Sequence, residues 1–202
     1  AEDALLPQHT LSPKPATISF EQAAAVPQAG LIALQSLHDK GRIQPGQRVL
    51  IGGASGGSGT FAVQLAKLAG AEVTGVCRSS KMEYLRSIGA DHVIDYTAQD
   101  FTRNGKQYDL IIDMMNMHHS LFDYMRVLSR DGRLVVVGGA SSRIFQIATL
   151  GPLLSLFSQR SMGLLLHKAN KGMERVISLL AEGRLVPVID RVFPLHEASE
   201  AM

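Results

Sequence analysis

The stretch Gly52-Gly53-Ala54-Ser55-Gly56-Gly57-Ser58-Gly59 holds the residues of this chain best suited to chemistry. An apolar run, Val49–Gly52, leads into it, and an apolar helical pattern, Gly59–Ala69, follows. A glycine-dense turn of this kind exposes backbone N–H groups at a helix N-terminus, where the helix dipole also favours an anion. The chemistry that suits it is the holding of a phosphate.

Several kinds of site use such a turn. A nucleotide triphosphatase loop needs Lys and then Ser or Thr after its last glycine. Here Thr60 and Phe61 follow Gly59, which excludes it. Gly53-Ala54-Ser55-Gly56-Gly57 matches the G-x-S-x-G nucleophile elbow of α/β-hydrolases, with Ser55 as nucleophile and Asp190 and His196 downstream in the right order. Against it, no HGGG-like segment precedes the turn, and the turn follows the first clear strand rather than several. Ala54-Ser55-Gly56-Gly57-Ser58-Gly59 aligns with the dinucleotide-binding pattern G-x-G-x-x-G, Ala54 standing in the first glycine place. Gly56 would let a pyrophosphate approach the backbone, and Gly59 would let the helix pack on the strand. A ligand-free tight turn would use the same glycines. The short-chain dehydrogenase pattern also fits, but no tyrosine has the lysine four residues on that those enzymes use.

The next strand end narrows the choice. A site for NAD places an acid about 20 residues on, to accept from the ribose 2′-hydroxyl. Here Cys77 is followed by Arg78-Ser79-Ser80-Lys81, two cations and no carboxylate. A 2′-phosphate carries roughly two negative charges. Arg78 can grip it with a planar fork and Lys81 with a point charge. The expected cofactor is therefore NADP (NADPH).

The elements that must position these residues alternate. Strand-like runs are Val49–Gly52, Glu72–Cys77, His92–Asp95, Leu110–Asp113 and Leu134–Val137, and VPVIDRVF (Val186–Phe193) reads as a sixth. Helix-like runs are Gly59–Ala69, Lys81–Ile88, Ser120–Ser129 and about Asn170–Glu182. Near-continuous apolar strands are the mark of strands buried on both faces. The alternation predicts an α/β fold, a Rossmann-type doubly wound parallel sheet of six strands with helices on both faces. Residues 1 to about 42 form a helical lead-in, with a capping box at Ser19 and Gln22, and about 43–195 form the core. The last residues, LHEASEAM, start another helix, which suggests a fragment of a longer protein.

Composition bounds the rest. A net charge of +2 with scattered Lys and Arg argues against a nucleic-acid partner. A single cysteine excludes an internal disulfide framework and a multi-cysteine zinc site. The adjacent His118 and His119 would point about 100° apart on a helix, which makes a polar helix start a better reading than a metal site. Ile144–Phe157 is interrupted by polar residues and shorter than the ~20 apolar residues of a membrane span, so a buried or interface segment is expected. A cytoplasmic setting fits.

The segment GGASGGSGTFAVQLAKLAGAEVTGVCRSSKMEYLRSIGADHVIDY resembles the cofactor domain of the zinc-independent quinone oxidoreductases of the medium-chain dehydrogenase/reductase superfamily. The likeness extends to SFEQAAAVPQAGLIALQSL upstream and to YDLIID, GRLVVVGG and LVPVIDRVFPLHEASEAM downstream. It implies hydride transfer from NADPH to a quinone, enone or related carbonyl, in a homodimer, with a barrel-like catalytic domain that lies outside this chain. By position, Ala54–Gly59 resembles the pyrophosphate cradle, and Arg78, Ser79 and Lys81 the 2′-phosphate pocket. Tyr96 matches a tyrosine that closes on that phosphate. Met114–Met117, including Asn116, stands at the adenosine-side loop, and Gly138 and Gly139 line the nicotinamide. The chain departs from the family at Ile32, where threonine is common, and at Met114–Met117, which replaces a glycine-richer loop. A non-catalytic NADPH-sensing or scaffold protein on the same fold is the alternative reading.

Overall fold

The computed structural model describes residues 5–8, 11–115 and 119–200. Two short helices open it, α1 (Phe20–Ala24) and α2 (Pro27–Leu34). The capping box forms: Gln22 N donates to Ser19 Oγ at 3.2 Å, and Ser19 N donates to Gln22 Oε1 at 2.9 Å. α2 runs on into a π-helical turn, Gln35–Lys40. Then come β1 (Arg48–Gly52), α3 (Gly57–Leu68), β2 (Glu72–Cys77), α4 (Met82–Ser87), β3 (His92–Asp95) and β4 (Tyr108–Asp113). They are followed by α5 (Leu121–Val127), β5 (Leu128–Val136), α6 (Ser141–Phe157), β6 (Ser161–Leu164) and α7 (Met173–Ala181).

The strands form one sheet in the order β3-β2-β1-β4-β5-β6, and every pairing is parallel. Side chains alternate between its faces. On β1, Val49 and Ile51 enter one core with Phe61, Leu65 and Val176, whereas Leu50 enters a second with Tyr124 and Val127. On β4, Leu110 and Ile112 join the first core and Ile111 the second. Both faces are therefore apolar, which is why these strands read as unbroken hydrophobic runs. α2, α3, α4 and α7 contribute to the first core, and α5 and α6 to the second. The winding reverses between β1 and β4, and a crevice opens outside their carboxyl ends, where doubly wound sheets bind ligands.

Three expectations need correction. The sixth strand is Ser161–Leu164, not Val186–Phe193, which lies outside the sheet. Val186 satisfies its backbone through a side chain instead of a ladder: its N–H donates to Gln64 Oε1 at 2.9 Å, and its carbonyl accepts from Gln64 Nε2 at 3.0 Å. The apolar run from Ile144 is not buried within the chain: it is a helix packed beside β6, and most of its large side chains, including Phe145, Leu153 and Leu156, are exposed. At the far end, Leu195–Glu197 makes a single 3₁₀ turn rather than an α-helix. Among the described residues, no helix is long and apolar enough to cross a membrane.

Candidate functional site

The glycine turn forms the floor of a cleft of about 410 Å³ at the β1/β4 reversal, walled by Met114, Met115 and Val137. β1 leaves the sheet through Gly53, whose φ of 76° suits glycine. The G-x-G-x-x-G pattern puts Ala54 in the tight-turn place, but Ala54 does not have a positive φ. It is fully buried, its N–H donates to Val76 O at 3.2 Å, and it packs under Gly75. Gly53 makes the turn in its stead.

Gly56 caps α3 in an extended conformation without a side-chain hydrogen bond. The first N–H groups of the helix are thus left for a ligand or solvent. A Cβ on Gly59 would lie 2.1 Å from Gly53 O, so only glycine lets α3 come this close to the turn. Ser55 is half-buried and Ser58 lies beside the cleft. No histidine pairs with Ser55 among the described residues: His196 contacts Glu197, and Asp190 contacts Arg191. The hydrolase triad is not assembled.

At the ends of β2 and β3, Arg78 Nε donates to Tyr96 Oη at 2.7 Å. This bond pushes the pKa of the exposed guanidinium further up. Ser79 and Lys81 belong to the single 3₁₀ turn that follows, closed by Lys81 N donating to Arg78 O at 3.0 Å. Cys77 is buried at the strand end, and burial pushes its thiol up, which disfavours the reactive thiolate.

Gly138 (φ 70°) and Gly139 (φ 119°) carry the chain away from β5, directly after Val137 of the cleft wall. Asn116, Met117 and His118 lie outside the described residues. His119 packs edge-on against Phe101, with ring centroids 4.7 Å apart and its Nε2 3.9 Å from Asp100 Oδ1. Among the described residues, no group of His, Cys, Asp and Glu is placed to hold a metal ion.

Two features escape a reading of the sequence. Asp113, fully buried, accepts from Tyr124 Oη at 2.8 Å and from Met115 N at 3.1 Å. It thereby fixes the start of the loop that walls the cleft. Asp95, half-buried at the end of β3, faces the Arg78–Lys81 turn. The motif VIDY contains it, beside the tyrosine that the family resemblance marks.

Fold order, switch-point cleft and uncapped glycine turn define a doubly wound nucleotide-binding domain. Residues 88–202 match the family described as zinc-binding dehydrogenase, and the chain belongs to that family, within the medium-chain dehydrogenase/reductase superfamily. It is 32% identical over its whole length to a chloroplast envelope quinone oxidoreductase homolog of Arabidopsis thaliana, 63% of which is covered. It is 30% identical over its whole length to an NAD-dependent alcohol dehydrogenase of Sulfurisphaera tokodaii, covering 59% of that protein. The structure of the quinone oxidoreductase from Coxiella burnetii superposes with a TM-score of 0.79 at 29% identity, over 93% of this chain and 57% of that one. The chain thus spans about three-fifths of the length of these relatives. The family's members are oxidoreductases that use nicotinamide cofactors.

Proposed function

We infer that this chain is the NADPH-binding domain of an oxidoreductase that passes a hydride to a quinone, enone or related carbonyl. The observation that carries the reading is the Arg78–Tyr96 pair at the end of β2, joined by Lys81, in the place where an NAD site keeps an acid on that strand. The cradle also fits the ligand: Gly59 leaves no room for a Cβ, and α3 offers unpaired N–H groups. Ala54–Gly59 would hold the pyrophosphate, and Arg78, Ser79, Lys81 and Tyr96 the 2′-phosphate. Asn116 would lie near the adenosine, and Gly138 and Gly139 along the nicotinamide.

The bound nicotinamide supplies the hydride chemistry. This chain's residues bind and orient it, and the glycine backbone at the ends of β1 and β5 lets it lie close to the sheet. Substrate-side groups belong to a second, barrel-like domain outside this chain, in a zinc-independent enzyme that works as a homodimer. The names of relatives support the carbonyl or quinone class: quinone oxidoreductases stand beside alcohol dehydrogenases among them.

The test is a fluorescence titration of the 202-residue chain with NADPH and with NADH. Arg78→Ala with Lys81→Ala should weaken NADPH by a few kcal/mol, the scale of charge-assisted contacts, and leave NADH nearly unchanged. Equal losses for both cofactors would remove the 2′-phosphate assignment. A full-length protein that binds NADPH yet reduces no quinone or enone would favour the sensing or scaffold reading.

A further inference from the structure

β3 supplies a carboxylate next to the place where β2 lacks one. The two strands pair in parallel with Cys77 opposite Asp95. Tyr96 N then donates to Cys77 O at 3.1 Å, so Asp95 and Tyr96 leave the sheet level with Arg78. Tyr96 Oη accepts from Arg78, while Asp95 turns toward Ser79, the residue between Arg78 and the rest of the 3₁₀ turn. Asp95 Oδ1 accepts from Thr97 Oγ1 at 2.7 Å and from Thr97 N at 2.9 Å. Bonds from Thr97, and then from Ser79, hold its carboxyl below the usual carboxylate range. Its charge is also felt at the end of β2, where, after burial, it adds to the upward push on Cys77.

The cluster that would meet a ribose 2′ substituent therefore contains one acid as well as two cations. The cations attract a 2′-phosphate. An ionised acid within a Debye length repels it, and an acid at the neighbouring end of β2 is what accepts from a free ribose 2′-hydroxyl in an NAD site. We propose that Asp95 is a specificity-determining residue: its carboxylate offsets part of the pull of Arg78 and Lys81 on a 2′-phosphate and keeps the site open to NADH as well as NADPH. This rests on the NADPH reading above and deepens it, because it makes selectivity a balance between β2 and β3 rather than a property of β2 alone.

Asp95 also has a local duty, since its bond to Thr97 N closes an Asx turn. Asn can close the same turn without the charge, so Asp95→Asn separates the two roles. Wild-type chain and Asp95→Asn are titrated with NADPH and NADH by fluorescence, at low and at raised salt, and a thermal melt checks that both are folded. NADPH should bind about three- to tenfold tighter to the variant, the effect expected of one exposed charge on a phosphate. NADH should bind equally or more weakly, and the gain for NADPH should shrink with salt. Equal changes for both cofactors, no change, or weaker NADPH binding would overturn the proposal. Asp95→Ser, which keeps a short turn-closing oxygen, carries the same test if the Asn variant does not fold. Wild type that prefers NADPH while Asp95→Asn has unaltered selectivity defeats this proposal alone. Wild type that does not bind NADPH defeats both readings.

Discussion

Tyr124 Oη donates to Asp113 Oδ2 at 2.8 Å, and both residues are fully buried. The bond ties α5 to the end of β4, at the point where the chain turns to wall the switch-point cleft. Asp113 also accepts from Met115 N, and Met114 N donates to Gly52 O at 3.1 Å. Met115 in turn lies over Gly53, where a Cβ would come within 2.5 Å of its Cγ. Strand end, helix and glycine turn are thus linked through one buried carboxyl. Tyr124→Phe removes a donor from it while preserving the ring's packing on Phe101. The expected cost is about 1–2 kcal/mol, seen as a drop of roughly 3–6 °C in Tm for a chain of this size. NADPH affinity should fall with it. An unchanged melting curve would show that the bond contributes nothing.

Neighbouring glycines of the turn should behave very differently. A Cβ at Gly59 would stand 2.1 Å from Gly53 O and 2.7 Å from Ala54 Cα, all backbone that cannot swing away. At Gly57 the nearest atom to an added Cβ is Ala29 Cβ at 3.9 Å, an ordinary contact. Gly59→Ala should therefore destabilise by about 2 kcal/mol or more, as overpacking does, and should abolish dinucleotide binding. Gly57→Ala should melt like the wild type. Equal stabilities for the two variants, measured by circular dichroism, would refute the close-approach role of Gly59.

Much of this arrangement can be read from residue order. β1, β2 and β4 announce themselves because both of their faces are buried, which leaves few polar interruptions. The turn is legible because glycine is required where backbone meets backbone, at Gly53 and Gly59. Ser161–Leu164 is invisible by the same logic: it is short, lies at the sheet edge, and has no β-branched residue. Val186–Phe193 has the composition of a strand, but composition cannot report that Gln64 occupies the N–H and carbonyl of Val186, where the run begins. Which glycine bends the chain also depended on packing, since Ala54 is drawn under Gly75 and Gly53 takes the positive φ. Asp113 and Tyr124 meet only because α5 folds back over β4. Asp95 was hidden by its distance in sequence from Arg78, although β2–β3 pairing makes them neighbours.

Tyr96 and Arg78 give a test specific to the 2′-phosphate side of the site. Tyr96→Phe keeps the ring and removes the acceptor that holds Arg78 Nε at 2.7 Å. The guanidinium then loses its fixed orientation, and a bound phosphate loses a hydroxyl donor. NADPH should weaken about three- to tenfold, the value of one or so hydrogen bonds. NADH should change little, because it presents no phosphate there. Isothermal titration with both cofactors decides it, and a parallel loss for NADH would assign Tyr96 to packing alone.

Stability should fall at low pH partly through Asp91. Its carboxyl lies just after α4, at the start of β3, where it accepts from Lys67 Nζ at 2.8 Å through both oxygens and from Val73 N at 2.7 Å. Partial burial raises its pKa, but the bonds from Lys67 and Val73 outweigh that and leave it below 3.8. A depressed carboxyl contributes stability that is present above the unfolded value, near pH 4, and is lost as pH falls through the folded value. Both side chains are about one-third exposed, 35% and 36%, so solvent screening keeps the contribution small. Asp91→Asn should therefore be less stable than wild type at pH 7, by under about 1 kcal/mol, and the gap should close as the pH approaches 3. Urea denaturation at a series of pH values measures the gap, and one that stays constant from pH 7 to 3 would show that the charge on Asp91 has no part in the fold's acid sensitivity.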